Sequence, residues 1–374
     1  MTSRGMRKIG ATAGGGASEP SSRLRWLGVD ENGLGPCMGP LCVTLVEGQL
    51  ASLASAAPVT ALGKQLKLTD SKVICGHGRM RWAESVALAL LQRVWGTLPD
   101  DLAELDRRFR ASTWALQPNG LATQAQRPCP SLKQAQLCWM ERVPLPAFGG
   151  DPALAVSALD ALADAGFTLT CVQQQALCVA EVNALAAGGY GRFAATLLAV
   201  EALLAERLDA EDPAAQLPVV AHCGLIGGIR DYPKHATSHL KERLKHATKD
   251  SDGVGYSVAP HHTVYFGRSQ DERSLTTALA SVVGKYTREL WMQAINQTLM
   301  RRACTTRPVS GYQDIYSKQA AAAALRQVTP AAPPTHAPTN PPRTPPAVCI
   351  VRGHASSARA SEPCALPPGV SRGT

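Results

Sequence analysis

The stretch GVDENGLGPCMGPL, residues 28–41, joins two apolar runs. It begins within the first, Trp26–Asp30, and ends at the first residue of the second, Leu41–Val46. Short apolar runs separated by a turn rich in glycine and proline predict a β-hairpin. Asp30 and Glu31 would then stand at the carboxyl end of the first strand, where paired acids suit Mg²⁺. Asp, Asn and Gly are also common turn formers, so a solvated turn is the alternative.

Apolar periodicity extends this pattern along the chain. It predicts helices at Met80–Val94, Ala153–Ala165, Ala176–Leu208, Leu275–Asn296 and Tyr316–Gln327. It predicts further strands at Thr168–Val172, Pro218–Cys223 and His262–Phe266. Strands followed by alternating strands and helices predict an α/β fold, with a mixed sheet and helices packed on it.

The composition divides the chain into a folded middle and two flanks. Residues 1–22 are expected to be a disordered basic arm, and residues 328–374, rich in Pro and Ala, a disordered tail. Residues 23–327 are predicted to form one domain, with a possible insertion near residues 115–130. The formal net charge is +9, and most of the basic excess lies in the flanks. Charge alone is therefore weak support for nucleic-acid binding.

The eleven cysteines contain no CxxC pair, which argues against structural zinc. An odd number of cysteines in a chain without a recognisable secretory signal predicts reduced thiols and a cytoplasmic location. No apolar run reaches the length of a membrane span, so we expect no contact with a membrane.

Four blocks of sequence resemble the ribonuclease HII family. Residues 28–40 resemble its opening motif G-[IV]-D-E-x-G-R-G-P-x-x-G-P, and Leu68–Lys72 resembles its L-x-D-S-K block. Asp271 with residues 278–289 resembles the family's D…A-A-S-[IL]-x-A-K-V-x-R-D helix, and Ser310–Asp314 resembles its S-G-Y segment. Four blocks in the right order are far more specific than any one of them.

The resemblance implies a ribonuclease H-like mixed sheet with flanking helices. It also implies an endonuclease that uses Mg²⁺ or Mn²⁺ to hydrolyse RNA in RNA/DNA hybrids or at embedded ribonucleotides. Asp30, Glu31 and Asp271 are the implied catalytic residues and metal ligands. The implied nucleic-acid contacts are Gly33, Leu34, Gly35, Lys72, Ser281, Lys285, Arg288 and Tyr312.

Two positions depart from the family's pattern. The family's remaining carboxylate ends a strand, but the corresponding segment here, residues 217–224, reads LPVVAHCG. His222, Cys223 or Gly224 must occupy that position, and the nearest acid downstream is Asp231. Leu34 stands where the family's glycine loop has an arginine.

These departures leave three interpretations open. The first is an active endonuclease, because three of the four carboxylates are present. The second is a catalytically impaired nucleic-acid-binding protein that has kept the ribonuclease H-like fold. The third is a structural or interaction protein that acts through its basic tail. Binding to an RNA/DNA hybrid, or its absence, separates the third interpretation from the others.

Overall fold

A computed structural model describes residues 23–69, 71–75, 79–112, 142–187, 190–209, 217–227, 229–236, 238–328 and 352. The predicted arms at 1–22 and 328–374 lie outside these residues, except for Val328 and Arg352. The predicted insertion near residues 115–130 and Asp70 of the second sequence block also lie outside them.

One mixed sheet of seven strands forms the centre of the described chain. Its strands are β1 Leu24–Asn32, β2 Leu41–Leu50, β3 Phe167–Leu177, β4 Val219–Gly224, β5 Lys245–Lys249, β6 Gly253–Ala259 and β7 His262–Gly267. Their order across the sheet is β3-β2-β1-β4-β7-β6-β5. The central neighbours β1, β4 and β7 run parallel, and the outer pairs are antiparallel. The predicted hairpin of β1 and β2 is confirmed.

Helices cover both faces of the sheet. They are α1 Ala56–Gln65, α2 Ser71–Ile74, α3 Met80–Trp95, α4 Leu102–Ser112, α5 Ala153–Asp164, α6 Val179–Ala187, α7 Arg192–Asp209, α8 Tyr232–His235, α9 Ser238–Lys241, α10 Gln270–Arg273, α11 Leu275–Arg301 and α12 Ile315–Val328. The predicted α/β fold, a mixed sheet with flanking helices, is therefore confirmed.

Alternation along β1 divides the hydrophobic core into two layers. Trp26 packs into the layer that contains α3, α5 and α11. Leu27 and Val29 point to the opposite face and pack into the layer that contains α7. Successive side chains of a strand face opposite ways, so this one strand contributes to both cores.

Helix α11 lies directly against the first strand. A Cβ atom at Gly28 would stand 2.1 Å from the backbone nitrogen of Thr277, so only glycine allows the strand and helix to approach this closely. This contact fixes the start of α11, and with it Asp271 in the preceding turn α10, beside the carboxyl end of β1.

Two sequence predictions of secondary structure need correction. The single helix predicted at Ala176–Leu208 is wrong, because β3 continues to Leu177 along its partner β2 and the rest forms two helices, α6 and α7. A glycine-rich stretch of sequence separates the two helices. The prediction also missed β5 and β6. The five residues of β5 are all exposed and carry no apolar alternation, and β6 has glycines at two of its seven positions.

Among the described cysteines, Cys37, Cys42, Cys171, Cys223 and Cys304 carry free thiols. None of the described helices combines the length and the hydropathy needed to cross a membrane.

Candidate active site

The acidic residues of the candidate site come from the carboxyl ends of neighbouring parallel strands. Asp30 and Glu31 lie near the end of β1. Asp271 lies in α10, four residues after the end of β7. Because β1, β4 and β7 are parallel neighbours, their carboxyl ends share one edge of the sheet. The predicted acids thus meet at this edge, although Asp271 is far from Asp30 and Glu31 in the sequence.

Loss of hydration and mutual repulsion raise the pKa of two of these carboxyl groups. Burial raises the pKa of Asp30 well above its usual value, and the charges of Glu31 and Asp271 raise it further. Burial and the charge of Asp271 raise the pKa of Glu31 to about 7. Both shifts mean that the site favours the protonated form of these carboxyl groups more than water does, unless a cation is bound.

Two polar side chains oppose this repulsion. The Nζ atom of Lys72 lies 2.8 Å from Oδ2 of Asp271, and its charge lowers the pKa of both Asp30 and Glu31. Ser281 donates a hydrogen bond to Asp30, and its hydroxyl also lies 2.9 Å from that of Ser71. The second sequence block, with Ser71 and Lys72, is therefore adjacent to the acids.

Gly224 occupies the strand-end position that faces the two acids of β1. A Cβ atom there would lie 3.1 Å from Oδ1 of Asp30 and 3.2 Å from Oε2 of Glu31. Cys223 points away into the core beside α7. His222 is hydrogen bonded through Nδ1 to Oε1 of Gln270, 3.0 Å away. Of the three residues considered from the sequence, Gly224 therefore takes the position, without a side chain to act as a ligand.

Neither His222 nor Asp231 lies in surroundings typical of a metal ligand. Burial lowers the pKa of His222, whose ring packs edge-on against Trp26. Asp231 is exposed and lies at the start of the short helix α8. Tyr232, which follows it, packs into the core beside α7.

The glycine loop begins directly after the acidic pair. Gly33 is buried with φ of +100°, and a Cβ atom there would lie 2.5 Å from the carbonyl oxygen of Pro40. Leu34 is partly exposed, and its carbonyl oxygen accepts a hydrogen bond of 3.1 Å from Arg192. Gly35 is exposed, with open space around its Cα.

Three predicted contacts of α11 lie on one helical face, since Ser281, Lys285 and Arg288 are spaced by four and three residues. The guanidinium of Arg288 lies 4.8 Å from the ring centre of Tyr312, and Lys285 Nζ lies 5.8 Å from the same centre. Both cations also contact Glu289. Tyr312 itself is 41 % exposed. The cations and this ring form one group beside the glycine loop.

Burial separates these predicted contacts into two kinds. Ser281 and Arg288 are buried, whereas Lys72 and Tyr312 are exposed. The assigned roles of all these residues stay predictions, because position alone does not show binding.

Arg192 and Arg352 were not identified from the sequence as residues of the site. The backbone nitrogen of Arg352 donates to the carbonyl of Cys37 at 2.8 Å, and Nε donates to that of Gly39 at 2.9 Å. Its Nη1 atom donates to the carbonyl of Gly33. Arg352 lies in a sequence rich in Pro, Ala and Ser that carries no motif, so only the tertiary contacts place it here.

The donor types at the acidic edge suit a hard divalent cation, since carboxylate oxygens are the ligands of Mg²⁺ and Mn²⁺. The geometry is incomplete. Among the described residues, no group of three or more His, Cys, Asp or Glu side chains is arranged to hold a metal ion. Gly224 offers no side-chain oxygen, and Lys72 is paired with Asp271.

No protein-family model matches the sequence, and no curated protein matches it. Several solved structures are similar to it. The structure of Bst-RNase HIII in complex with Mn²⁺ has 14% identity and a TM-score of 0.40, over 89% of this chain and 67% of the other.

Two further structures are similar at the same level. The RNase HII of Archaeoglobus fulgidus, solved in a PCNA:RNase HII complex, has 13% identity and a TM-score of 0.35, over 79% of this chain and 86% of the other. The ribonuclease H2 of Pyrococcus horikoshii OT3 has 15% identity and a TM-score of 0.35, over 81% and 88%. Similarity this low does not transfer an activity to this chain.

Proposed function

We propose that this chain is a divalent-metal-dependent endonuclease that hydrolyses RNA in RNA/DNA hybrids or at embedded ribonucleotides. The observation that carries the proposal is the meeting of Asp30, Glu31 and Asp271 at one sheet edge, where burial and mutual repulsion raise the pKa of the first two. Concentrated carboxylates of this kind favour a cation. The four sequence blocks that resemble ribonuclease HII supply the reaction class, and residues 23–327 are the proposed catalytic domain.

Asp30 and Glu31 are the residues that would hold the metal, which is Mg²⁺ or Mn²⁺ in this proposal. Asp271 would join them once Lys72 moves to another anion. A bound divalent ion supplies two effects at such a site, since it lowers the pKa of water and stabilises negative charge on a phosphate.

The remaining side chains would position the nucleic acid. Lys72 is exposed and stands beside Asp271, so it can exchange that carboxylate for a backbone phosphate. Ser281 orients the carboxyl group of Asp30 through its hydrogen bond. The exposed ring of Tyr312 is available for stacking or for a hydrogen bond next to the glycine loop.

A catalytically impaired nucleic-acid-binding protein is the second candidate. The observation in its favour is Gly224, because it leaves Asp30 and Glu31 without a facing carboxylate. Loss of one metal ligand weakens a site without removing the basic and aromatic residues that surround it. This candidate would keep the affinity for hybrids and lose the cleavage.

Cleavage assays separate the two candidates. The substrates are a labelled RNA/DNA hybrid and a DNA duplex with one embedded ribonucleotide, each tested in Mg²⁺ and in Mn²⁺. We expect metal-dependent cleavage that Asp30→Asn and Asp271→Asn each reduce at least about a hundredfold. The same two variants control for contaminating nuclease.

Each other result has a definite meaning. Hybrid binding without cleavage in either metal would establish the impaired nucleic-acid-binding protein. Cleavage that persists in both variants would come from a contaminant. Absence of both binding and cleavage would exclude both candidates and leave the interpretation in which the tail acts.

A further inference from the structure

Three arginines converge on the glycine loop, two of them through its carbonyl groups. Arg352 donates to the carbonyls of Gly33 and Gly39, and Arg192 donates to that of Leu34 at 3.1 Å. Arg288 approaches from α11, where its Nε atom would lie 3.2 Å from a Cβ atom at Gly33. The three cations come from α7, from α11 and from the C-terminal segment, so the chain brings them together only when folded.

The guanidinium groups lie near one another with little compensating charge. Burial and then the charges of Arg288 and Arg192 lower the pKa of Arg352 to about 10. Glu289 contacts Arg288, but the same carboxylate is shared with Lys285. Arg288 and Arg352 therefore carry an excess of positive charge where access to water is limited, and the exposed Arg192 lies beside them.

Two donors of this group have no hydrogen-bond partner among the described residues. They are Nη2 of Arg352 and Nε of Arg288, and both atoms are buried. Arg288 as a whole has no exposed surface. A buried donor on a charged group is costly when it is left unpaired. An oxyanion placed between the two guanidinium groups would satisfy both donors and neutralise their repulsion.

We propose that Arg352 of the C-terminal segment completes a phosphate-binding site with Arg288 and Arg192 at the glycine loop. The segment thereby supplies the guanidinium that the loop lacks at Leu34. The site takes a phosphodiester of the nucleic-acid backbone, an assignment that rests on the proposed function. Arginine suits this role because its planar donors match the oxygens of a phosphate.

The test compares two charge-neutral substitutions in the C-terminal segment of the full chain. Arg352→Gln removes the guanidinium that contacts the loop. Arg359→Gln removes the same charge seven residues further along the sequence. Affinity for an RNA/DNA hybrid is measured in EDTA over a series of salt concentrations, so that neither a metal ion nor cleavage enters the measurement.

We expect Arg352→Gln to weaken binding about tenfold and to lower the slope of log Kd against log salt by about one, as the loss of one phosphate contact does. Arg359→Gln should change the affinity less than about twofold. Equal effects of the two variants, or an unchanged salt slope in Arg352→Gln, would show that Arg352 binds no phosphate.

A third variant separates the loss of a phosphate contact from the loss of loop structure. Arg352→Lys keeps the positive charge and loses the planar donors, so it should retain the salt slope of the wild type and bind the hybrid more weakly. If Arg352→Lys lowers the slope as much as Arg352→Gln does, Arg352 acts by holding the loop, and the phosphate contact is excluded.

The outcome for Arg352 is separate from the outcome for catalysis. If the wild-type chain binds hybrids in EDTA but cleaves none in Mg²⁺ or Mn²⁺, the endonuclease proposal fails. The role of Arg352 in binding can still be measured in that case. If the wild-type chain binds no hybrid, the probe is inorganic phosphate. Phosphate should then raise the Tm of the wild type and leave that of Arg352→Gln unchanged. Equal shifts, or none, would overturn the proposal.

Discussion

Gly224 lies where a facing carboxylate would complete the acidic edge. Its missing side chain leaves the oxygens of Asp30 and Glu31 opposed by a hydrogen atom, and a Cβ atom would stand 3.1–3.2 Å from them. That distance is tight, so the two acids must shift by a few tenths of an ångström to admit a larger residue. The shift is small because the atoms involved are the ends of side chains.

Replacing this glycine by aspartate tests whether the edge is a metal site. We expect Gly224→Asp to raise the affinity for Mn²⁺ at least about tenfold, because an added carboxylate increases both ligand number and charge. Calorimetric titration with Mn²⁺ measures the gain. Gly224→Asn has nearly the same size without the charge and should give little gain. Equal gains in the two variants would contradict the assignment.

The acidic pair also predicts how stability depends on pH when divalent cations are absent. A carboxyl group with a raised pKa holds its proton in the folded protein and releases it on unfolding. The free energy of unfolding should therefore fall as the pH rises from about 4.5, the ordinary pKa of glutamate, to about 7, the pKa of Glu31. Glu31 alone accounts for a loss on the order of 3 kcal/mol, and Asp30 acts with the same sign.

Urea unfolding in EDTA at pH 5 and pH 8 measures this dependence. Glu31→Gln should flatten it and make the protein more stable than the wild type at pH 8. Glu242→Gln removes an exposed carboxyl group and serves as the control. A wild-type protein that is equally stable at both pH values would show that Glu31 titrates normally.

At the level of elements, the packing of β1 on α11 sets the positions of the acids. Gly28→Ala would place a carbon 2.1 Å from the backbone of α11, so the strand and helix must separate. We expect a loss of about 3 kcal/mol in the free energy of unfolding, measured with urea, because overpacking against backbone cannot be relieved by a rotamer change.

Gly35→Ala is the matched control for this substitution. Gly35 is exposed and has open space where a Cβ atom would stand, so its replacement should change stability by less than about 0.5 kcal/mol. A loss in Gly28→Ala no larger than in Gly35→Ala would mean that β1 and α11 are not in close contact.

At the scale of the whole molecule, a buried ion pair network joins the sheet to one helical layer. Glu47 of β2 accepts a hydrogen bond of 2.7 Å from Arg25 of β1 and one of 2.6 Å from Arg207 of α7. Arg25 and Glu47 are each about 2 % exposed. Although burial alone would raise the pKa of Glu47, the bonds from the two arginines lower it.

Glu47→Gln should therefore destabilise the whole fold. The substitution leaves Arg25 buried beside a neutral amide, and breaking a buried pair in this way costs about 3 kcal/mol or more. The thermal or urea transition measures the loss. Because the pKa of Glu47 is lowered in the folded state, its contribution is present above about pH 4.5, the ordinary value, and disappears as the pH falls further.

Asp160→Asn provides the comparison for an exposed ion pair. Asp160 pairs with Arg93 at the surface, where both side chains are well exposed. Its loss should cost less than about 1 kcal/mol, because solvent screens the pair and already hydrates both charges. Similar losses for the two substitutions would show that burial of Glu47 adds nothing.

The sequence by itself determined much of this architecture. The hairpin of β1 and β2 followed from the two apolar runs around the glycine turn, and the helices α3, α5, α11 and α12 followed from their apolar period. It also identified Asp30, Glu31 and Asp271 as candidates, through blocks that resemble those of ribonuclease HII. Local periodicity and turn chemistry act between near neighbours, so the order of residues reveals them.

Only the tertiary structure decided what surrounds those acids. Sequence left His222, Cys223 and Gly224 as equal occupants of the strand end, and the parallel register of β4 beside β1 selected Gly224. The contact of Arg352 with Gly33 spans more than three hundred residues and follows no motif. Such contacts depend on the positions of strands and helices from distant parts of the chain, which local pattern does not encode.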